Sequence, residues 1–111
     1  MSSNILKNIE FSTVSPLKDL VSYQDGQIVS KTLAQNPNVS LTLFAFDKGE
    51  EISSHSSDGD AMIYVADGTG EITIGGEKHL VAAGETIVMP AEVPHAVYAA
   101  EKFKMFLIVV F

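Results

Sequence analysis

Without a cysteine, any reactive or metal-binding group in this chain has to be built from histidine, carboxylate and hydroxyl side chains. Disulfides, thiolate nucleophiles and thiolate metal sites are excluded. There are three histidines. His55 follows Gly49-Glu50-Glu51-Ile52-Ser53-Ser54, and His95 follows Met89-Pro90-Ala91-Glu92-Val93-Pro94. His79 lies inside a run of strand character. A neutral imidazole can hold a divalent ion, take a proton as a general base, or orient a ligand by a hydrogen bond. Ser57 lies near His55, but nothing in the sequence orients that histidine as the base of a nucleophile pair. No glycine-rich phosphate loop, nucleophile elbow or Ser/His/Asp spacing is present.

The elements that must position these residues read as strands. Turn signals recur at short intervals: Asp25-Gly26, Asn36-Pro37-Asn38, Asp47-Lys48-Gly49, Asp67-Gly68-Thr69-Gly70 and Gly75-Gly76. Runs of strand length lie between them, which is the signature of an all-β sandwich or barrel. From Val39 to Phe46, Val39, Leu41, Leu43 and Ala45 share one face, and Ser40, Thr42, Phe44 and Phe46 share the other. Ile72-Thr73-Ile74 and Glu77 to Val81 form a hairpin around a two-glycine turn, where positive φ is needed. In its second strand Leu80 is the expected inward residue and His79 the solvent-facing one. Pro90 and Pro94 frame the turn before His95. Met62, Met89 and Met105 read as core filler. Ser15-Pro16 before Leu17, Leu20 and Val21 reads as the start of one helical turn.

Two runs lack alternation, Ala61 to Ala66 and Phe103 to Phe111. A strand apolar on both faces must be covered on both. One face can enter a barrel; the other needs a second layer. The expected layer is a partner subunit, making a homodimer with Tyr64 at the contact, and the alternative is the chain's own N-terminal segment.

At 111 residues the chain is sized for one domain. Residues 1–38 are read as N-terminal strands with a short turn, and residues 39–111 as the barrel core of the same domain. The net charge is −7, with 14 acids against 7 bases, and every base is a lysine. An acidic surface without arginine is a poor match for nucleic acid or anionic lipid. No apolar run is long enough to span a bilayer. Met1 to Glu10 lacks the basic lead and continuous apolar stretch of a signal peptide, so the cytoplasm is the expected location.

In this register the chain resembles the cupin superfamily. The family's first motif runs Gly, five residues, His-x-His, three or four residues, Glu, six residues, Gly; here Gly49, His55, Ser57, Ala61 and Gly68 stand in those places. The second runs Gly, five residues, Pro-x-Gly, two residues, His, three residues, Asn; here they are Gly84, Pro90, Glu92, His95 and Ala99. The resemblance covers about residues 40 to 110. It implies a small antiparallel β-barrel, a double-stranded jelly roll, whose open end holds the site. In metal-bearing members three histidines and a glutamate from these positions bind a divalent ion. Here Ser57 replaces the second histidine and Ala61 the glutamate, leaving His55 and His95. A zinc site normally keeps three protein ligands, and a non-haem iron site two histidines and a carboxylate. Asp60 points to the opposite face from Ala61 unless a bulge turns it. Asp58 and Glu92 are looser substitutes.

The pocket implied is lined by His55, Ser57, Ala61, Ile63 and His95, with His55 and His95 as metal ligands. The expectation is a small organic ligand in the barrel mouth, with one weakly held divalent ion (zinc, iron, manganese or nickel). In the competing view the two histidines are uncharged polar fittings of an apolar pocket. The alternatives in catalysis are a metal-dependent enzyme of dioxygenase, isomerase or lyase type, and a metal-free isomerase with a histidine as general base.

Overall fold

A computed structural model describes residues 5–111; the first four residues of the 1–38 segment lie outside the described residues. Among the described residues, a single 3-10 turn, Leu17–Leu20, is followed by nine strands: β1 Ile28–Gln35, β2 Val39–Phe46, β3 Glu51–His55, β4 Asp60–Asp67, β5 Thr69–Ile74, β6 Glu77–Ala82, β7 Thr86–Met89, β8 His95–Tyr98 and β9 Phe103–Val110. Every pairing is antiparallel. One sheet runs β1-β2-β9-β4-β7 and the other β3-β8-β5-β6. The result is an all-β jelly-roll barrel, as the turn spacing leads one to expect.

The sheets close on an interior of Phe46, Ile63, Val65, Ile72, Met89, Phe103 and Met105, all nearly inaccessible. Phe46 and Phe103 stack with ring centroids 4.8 Å apart. Gly70 is required beside this pair. A Cβ there would lie 2.5 Å from Phe103 Cε2, and a buried, stacked ring has nowhere to retreat. The β5–β6 hairpin turns on Gly75 and Gly76, at φ +56° and +84°, the conformation glycine reaches without steric cost.

Residues Ala61 to Ala66 do alternate, although their sequence hides it. Ala61, Ile63 and Val65 are buried, while Met62 and Tyr64 are 38% and 36% exposed. Met62 is therefore not core filler, unlike Met89 and Met105. In β9, Phe103, Met105, Leu107 and Val109 pack against the interior, and Phe106 faces the other way. A second cluster forms there. Leu33, Leu43, Ala45 and Val21 are buried together, with Ile9, Leu17, Leu20, Tyr23 and Phe106 against them. The N-terminal segment thus covers the outer face of β1, β2 and part of β9. The bulge after Thr32 makes this possible, because it turns both Leu33 and Ala34 toward cover.

Hydrogen bonds hold this segment down. The Lys7 amide donates to Leu33 O over 2.8 Å, and Asn8 Nδ2 donates to Thr32 O over 2.8 Å. Lys31 Nζ donates to Leu20 O and Lys104 Nζ to Lys18 O. The 3-10 turn starts one residue later than Ser15-Pro16 suggests: Pro16 is the cap, and its carbonyl accepts from the Asp19 amide.

Candidate functional site

His55 ends β3 and His95 begins β8, and the two are cross-strand partners. Their pairing depends on an irregularity. Ile52 sits opposite Val97, and His55 sits opposite His95. Three steps along β3 are therefore matched to two along β8. In a regular strand, residues three apart point to opposite faces. The extra residue restores the phase, so Ile52 packs on the interior and His55 shares that face.

The rings meet edge to face, with centroids 4.4 Å apart. His55 Nδ1 lies 3.0 Å from Ser53 O, and His95 Nδ1 lies 3.2 Å from Val93 O. A carbonyl can only accept, so Nδ1–H is the donor in each ring. In the neutral form of each ring the lone pair is then on Nε2. His95 is buried and His55 exposed. Burial pushes the His95 imidazole below its ordinary value of 6.5; the Val93 carbonyl opposes this, and the neighbouring His55 adds to it. His95 is thus neutral at pH 7 and His55 forms the solvent-side lip.

The loop before His95 is built to hold it. The Val93 amide donates to Pro90 O, closing the turn between the two prolines. The loop is tied to the segment after His55 at two points. The Glu92 amide donates to Ser57 O over 2.8 Å, and the Ala91 amide donates to Asp60 Oδ1 over 2.8 Å. Asp60 is therefore committed to a backbone amide on the outer side and is not swung inward as a substitute ligand. Ser57 Oγ accepts from the Gly59 amide at 3.2 Å. Glu92 has φ +68°, so a side chain occupies a backbone conformation that favours glycine.

Among the other residues singled out, Ala61 faces inward and pairs with Met89. The loop after Met89 leads to His95, so Ala61 lies at the histidine end of the barrel. Ile63 is fully buried one layer deeper and belongs to the core. Asp58 and Glu92 do not join the histidines: among the described residues no three His, Asp or Glu side chains cluster closely enough to hold a metal ion.

His79 corrects the sequence reading. It is half-buried, and Leu80 is 68% exposed. His79 shares its face with Val81, which is buried opposite Gly70, so alternation sends Leu80 outward despite its hydrophobicity. Register also reveals a residue the sequence reading missed. His95 pairs with Ile74, and Ile74 pairs with Glu77 across the two-glycine turn. One cross-strand row therefore runs His55, His95, Ile74, Glu77, with Glu77 exposed at the rim. The hairpin length carried that signal, since a two-residue turn at Gly75-Gly76 pairs 74 with 77.

A groove of about 660 Å³ lies elsewhere, between the N-terminal segment and β1, lined by Asn8, Glu10, Thr13, Leu20 and Lys31 among others. It contains no histidine, and its lysine already bonds Leu20 O.

The architecture has known counterparts. The cupin domain family matches residues 42–111. A conserved protein of unknown function from Streptococcus pyogenes is 46% identical, with a TM-score of 0.96 over 99% of this chain and 96% of that one. A cupin superfamily protein from Desulfitobacterium hafniense is 30% identical, with a TM-score of 0.91 over 96% of this chain and 97% of the other. A cupin 2 conserved barrel domain protein from Leptotrichia buccalis is 45% identical, with a TM-score of 0.84 over 86% of this chain but only 46% of that chain. No match was found among curated proteins. The jelly-roll topology, the two motif histidines and these similarities together establish that the chain belongs to the cupin family.

Proposed function

We propose that this protein is a binding cupin that takes a small organic ligand into the barrel mouth, oriented by His55 and His95, with a divalent ion held weakly by the same pair. The observation that supports it most is the shared orientation of the two imidazoles. Each donates Nδ1–H to a backbone carbonyl two residues earlier, so both direct Nε2, the lone-pair atom of that neutral tautomer, away from the backbone and beside apolar walls such as Ile74 and Ala61. Two neutral imidazoles fit zinc, iron, manganese or nickel, with the remaining positions filled by water or by the ligand. When bound, such an ion supplies Lewis-acid polarisation of a ligand oxygen. The missing third and fourth protein ligands argue for weak retention. A cytoplasmic location completes the proposal and rests on the sequence reading; among the described residues no helix is long and apolar enough to cross a membrane.

Calorimetric titration with zinc, nickel, manganese and ferrous iron tests the metal component. Wild type should bind at least one of them, and His55→Ala or His95→Ala should each nearly abolish the heat. A thermal-shift screen of small organic compounds, with and without the best ion, tests the ligand component. Compounds that stabilise the His55→Ala protein as much as wild type would exclude the histidines from recognition.

A metal-dependent enzyme of dioxygenase, isomerase or lyase type is the second reading, favoured by the same pair of open Nε2 atoms. Metal-free isomerisation is favoured only by the neutrality of His95, whose Nε2 could accept a proton. The residue orienting that ring is a backbone carbonyl rather than a carboxylate, which makes it a weaker base than a carboxylate-paired histidine.

A further inference from the structure

The charges of this molecule are sorted by place. Lys48 pairs with Glu101 at 3.5 Å, between the loops that precede β3 and follow β8. Lys102 and Lys104 lie over the Tyr23 ring, where β9 begins. These sites are at the end of the barrel away from the histidine pair. Lys31 and Lys104 bond carbonyls of the N-terminal segment, and that segment carries Lys7 and Lys18 over the outer face of β1 and β2. Lys78 lies beside the Gly75-Gly76 turn, but it pairs with Glu71 at 3.0 Å. Register sets Lys78 opposite Thr73, on the outer side of the four-stranded sheet, since Ile72 and Ile74 face the interior. That accounts for all seven bases, and the sequence has no arginine. None of them is placed on the inner face at the barrel mouth.

The mouth end is acidic instead. Asp58 and Asp60 stand where the chain passes from β3 into β4, Glu92 in the loop before His95, and Glu77 at the first position of β6. All four are exposed, and none forms an ion pair among the described residues. Carboxylates without a counter-cation set a negative potential over the opening, which attracts cations and repels carboxylates and phosphates. A divalent ion on the histidine pair would offset only part of it.

Glu77 is the carboxylate aligned with the pocket. His95, Ile74 and Glu77 are successive cross-strand partners, so their side chains leave the same face of the sheet. His95 is 4% exposed, and its Nδ1 is taken by Val93 O. Its Nε2 bonds no protein group among the described residues, where no buried polar side-chain atom is left without a partner; this nitrogen therefore opens on the mouth. From the pair outward the row offers a lone-pair nitrogen, the apolar surface of Ile74 and a carboxylate free of cations.

On the reading of the mouth as a ligand site, we propose that its ligand is a small organic cation, an amine with an apolar body, whose body lies on Ile74 and whose ammonium group is taken by Glu77. Glu77 is the specificity-determining residue, because it selects for charge where Ile74 selects only for apolarity.

Benzylammonium, benzyl alcohol and benzoate share one apolar body and differ in charge. Each is titrated into the full chain at pH 7, followed by NMR of the His55 and His95 rings and the Gly75 and Gly76 amides. Wild type should bind benzylammonium roughly five- to tenfold more tightly than benzoate. Glu77→Gln should weaken benzylammonium about three- to fivefold and leave benzyl alcohol unchanged. Glu77→Lys should reverse the order, with benzoate binding best. Circular dichroism should match wild type for both variants, since Glu77 is exposed. Benzoate binding to wild type as tightly as benzylammonium overturns the proposal, as does a Glu77→Gln protein that binds benzylammonium unchanged. In either case benzyl alcohol that still moves the His55 and His95 resonances keeps the mouth as a ligand site. If none of the three probes moves them at millimolar concentration, the ligand-site reading falls together with the proposal.

Discussion

The Tyr23 hydroxyl donates to Asp67 Oδ2 over 2.6 Å and so fastens the N-terminal segment to the end of β4. The ring carries Lys102 and Lys104 Nζ at 5.0 and 4.8 Å from its centroid. Burial, then the hydrogen bond and charge of Asp67, push the phenol well above its ordinary value of 10.0. The fold therefore keeps this proton at pH values where the unfolded chain releases it. The associated stability is complete below about pH 10 and is lost as the pH rises beyond it. Tyr23→Phe should cost about 1 kcal/mol at neutral pH and flatten the alkaline limb of the melting-temperature profile. An unchanged alkaline limb would show that the hydroxyl does not control it.

His95 works in the opposite direction on the acid side. Burial lowers its affinity for a proton, so the unfolded chain binds that proton first. Stability from this residue is full above pH 6.5 and declines as the pH falls below it. Melting temperatures measured from pH 7.5 to 5 should fall for wild type and fall less for His95→Gln. Equal slopes would remove His95 from the acid response.

Ala61→Glu should trade stability for metal affinity. Ala61 is 2% exposed and inward, so the larger side chain should cost roughly 1–3 kcal/mol by overpacking. It also brings a carboxylate to the histidine end of the barrel. Zinc or manganese should bind tighter than to wild type in calorimetry, and the ion should restore part of the lost melting temperature. A variant that is destabilised and binds no tighter would mean that position 61 does not reach the pair.

Glu92→Gly should stabilise the protein by about 1 kcal/mol, because it relieves a non-glycine residue at φ +68°. If the carboxylate contributes to ligand recognition at the rim, the same variant should bind ligand less well. Chemical denaturation and titration on one sample separate the two effects.

Much of the barrel was legible because turns and glycines announce themselves. The Gly75-Gly76 hairpin, the opposed faces of Val39 to Phe46 and the all-β architecture follow from local chemistry. The histidine pair was legible through motif spacing. The rest depends on pairing across distant strands. Leu80 looked inward by hydrophobicity, yet its neighbour Val81 fixed the phase. Met62 looked like core because β4 is apolar on both sides and has no period to read. The doubly apolar β9 signalled a need for cover and left the N-terminal segment as the alternative to a partner subunit; that this segment packs on Phe106 and β2 is a tertiary event.

The irregularity in β3 makes the histidine pair depend on how many residues separate Ile52 from His55 more than on which ones they are. Ser53 and Ser54 together face a single residue of β8 between the Ile52–Val97 and His55–His95 pairs. Removing either serine would leave a strand of ordinary pleat, in which the imidazole could keep its partner only by a shift of the whole register. Substituting both with other small polar residues would leave the phase intact. A shortened β3 would therefore disarm the barrel mouth while every side chain of the pair was still encoded.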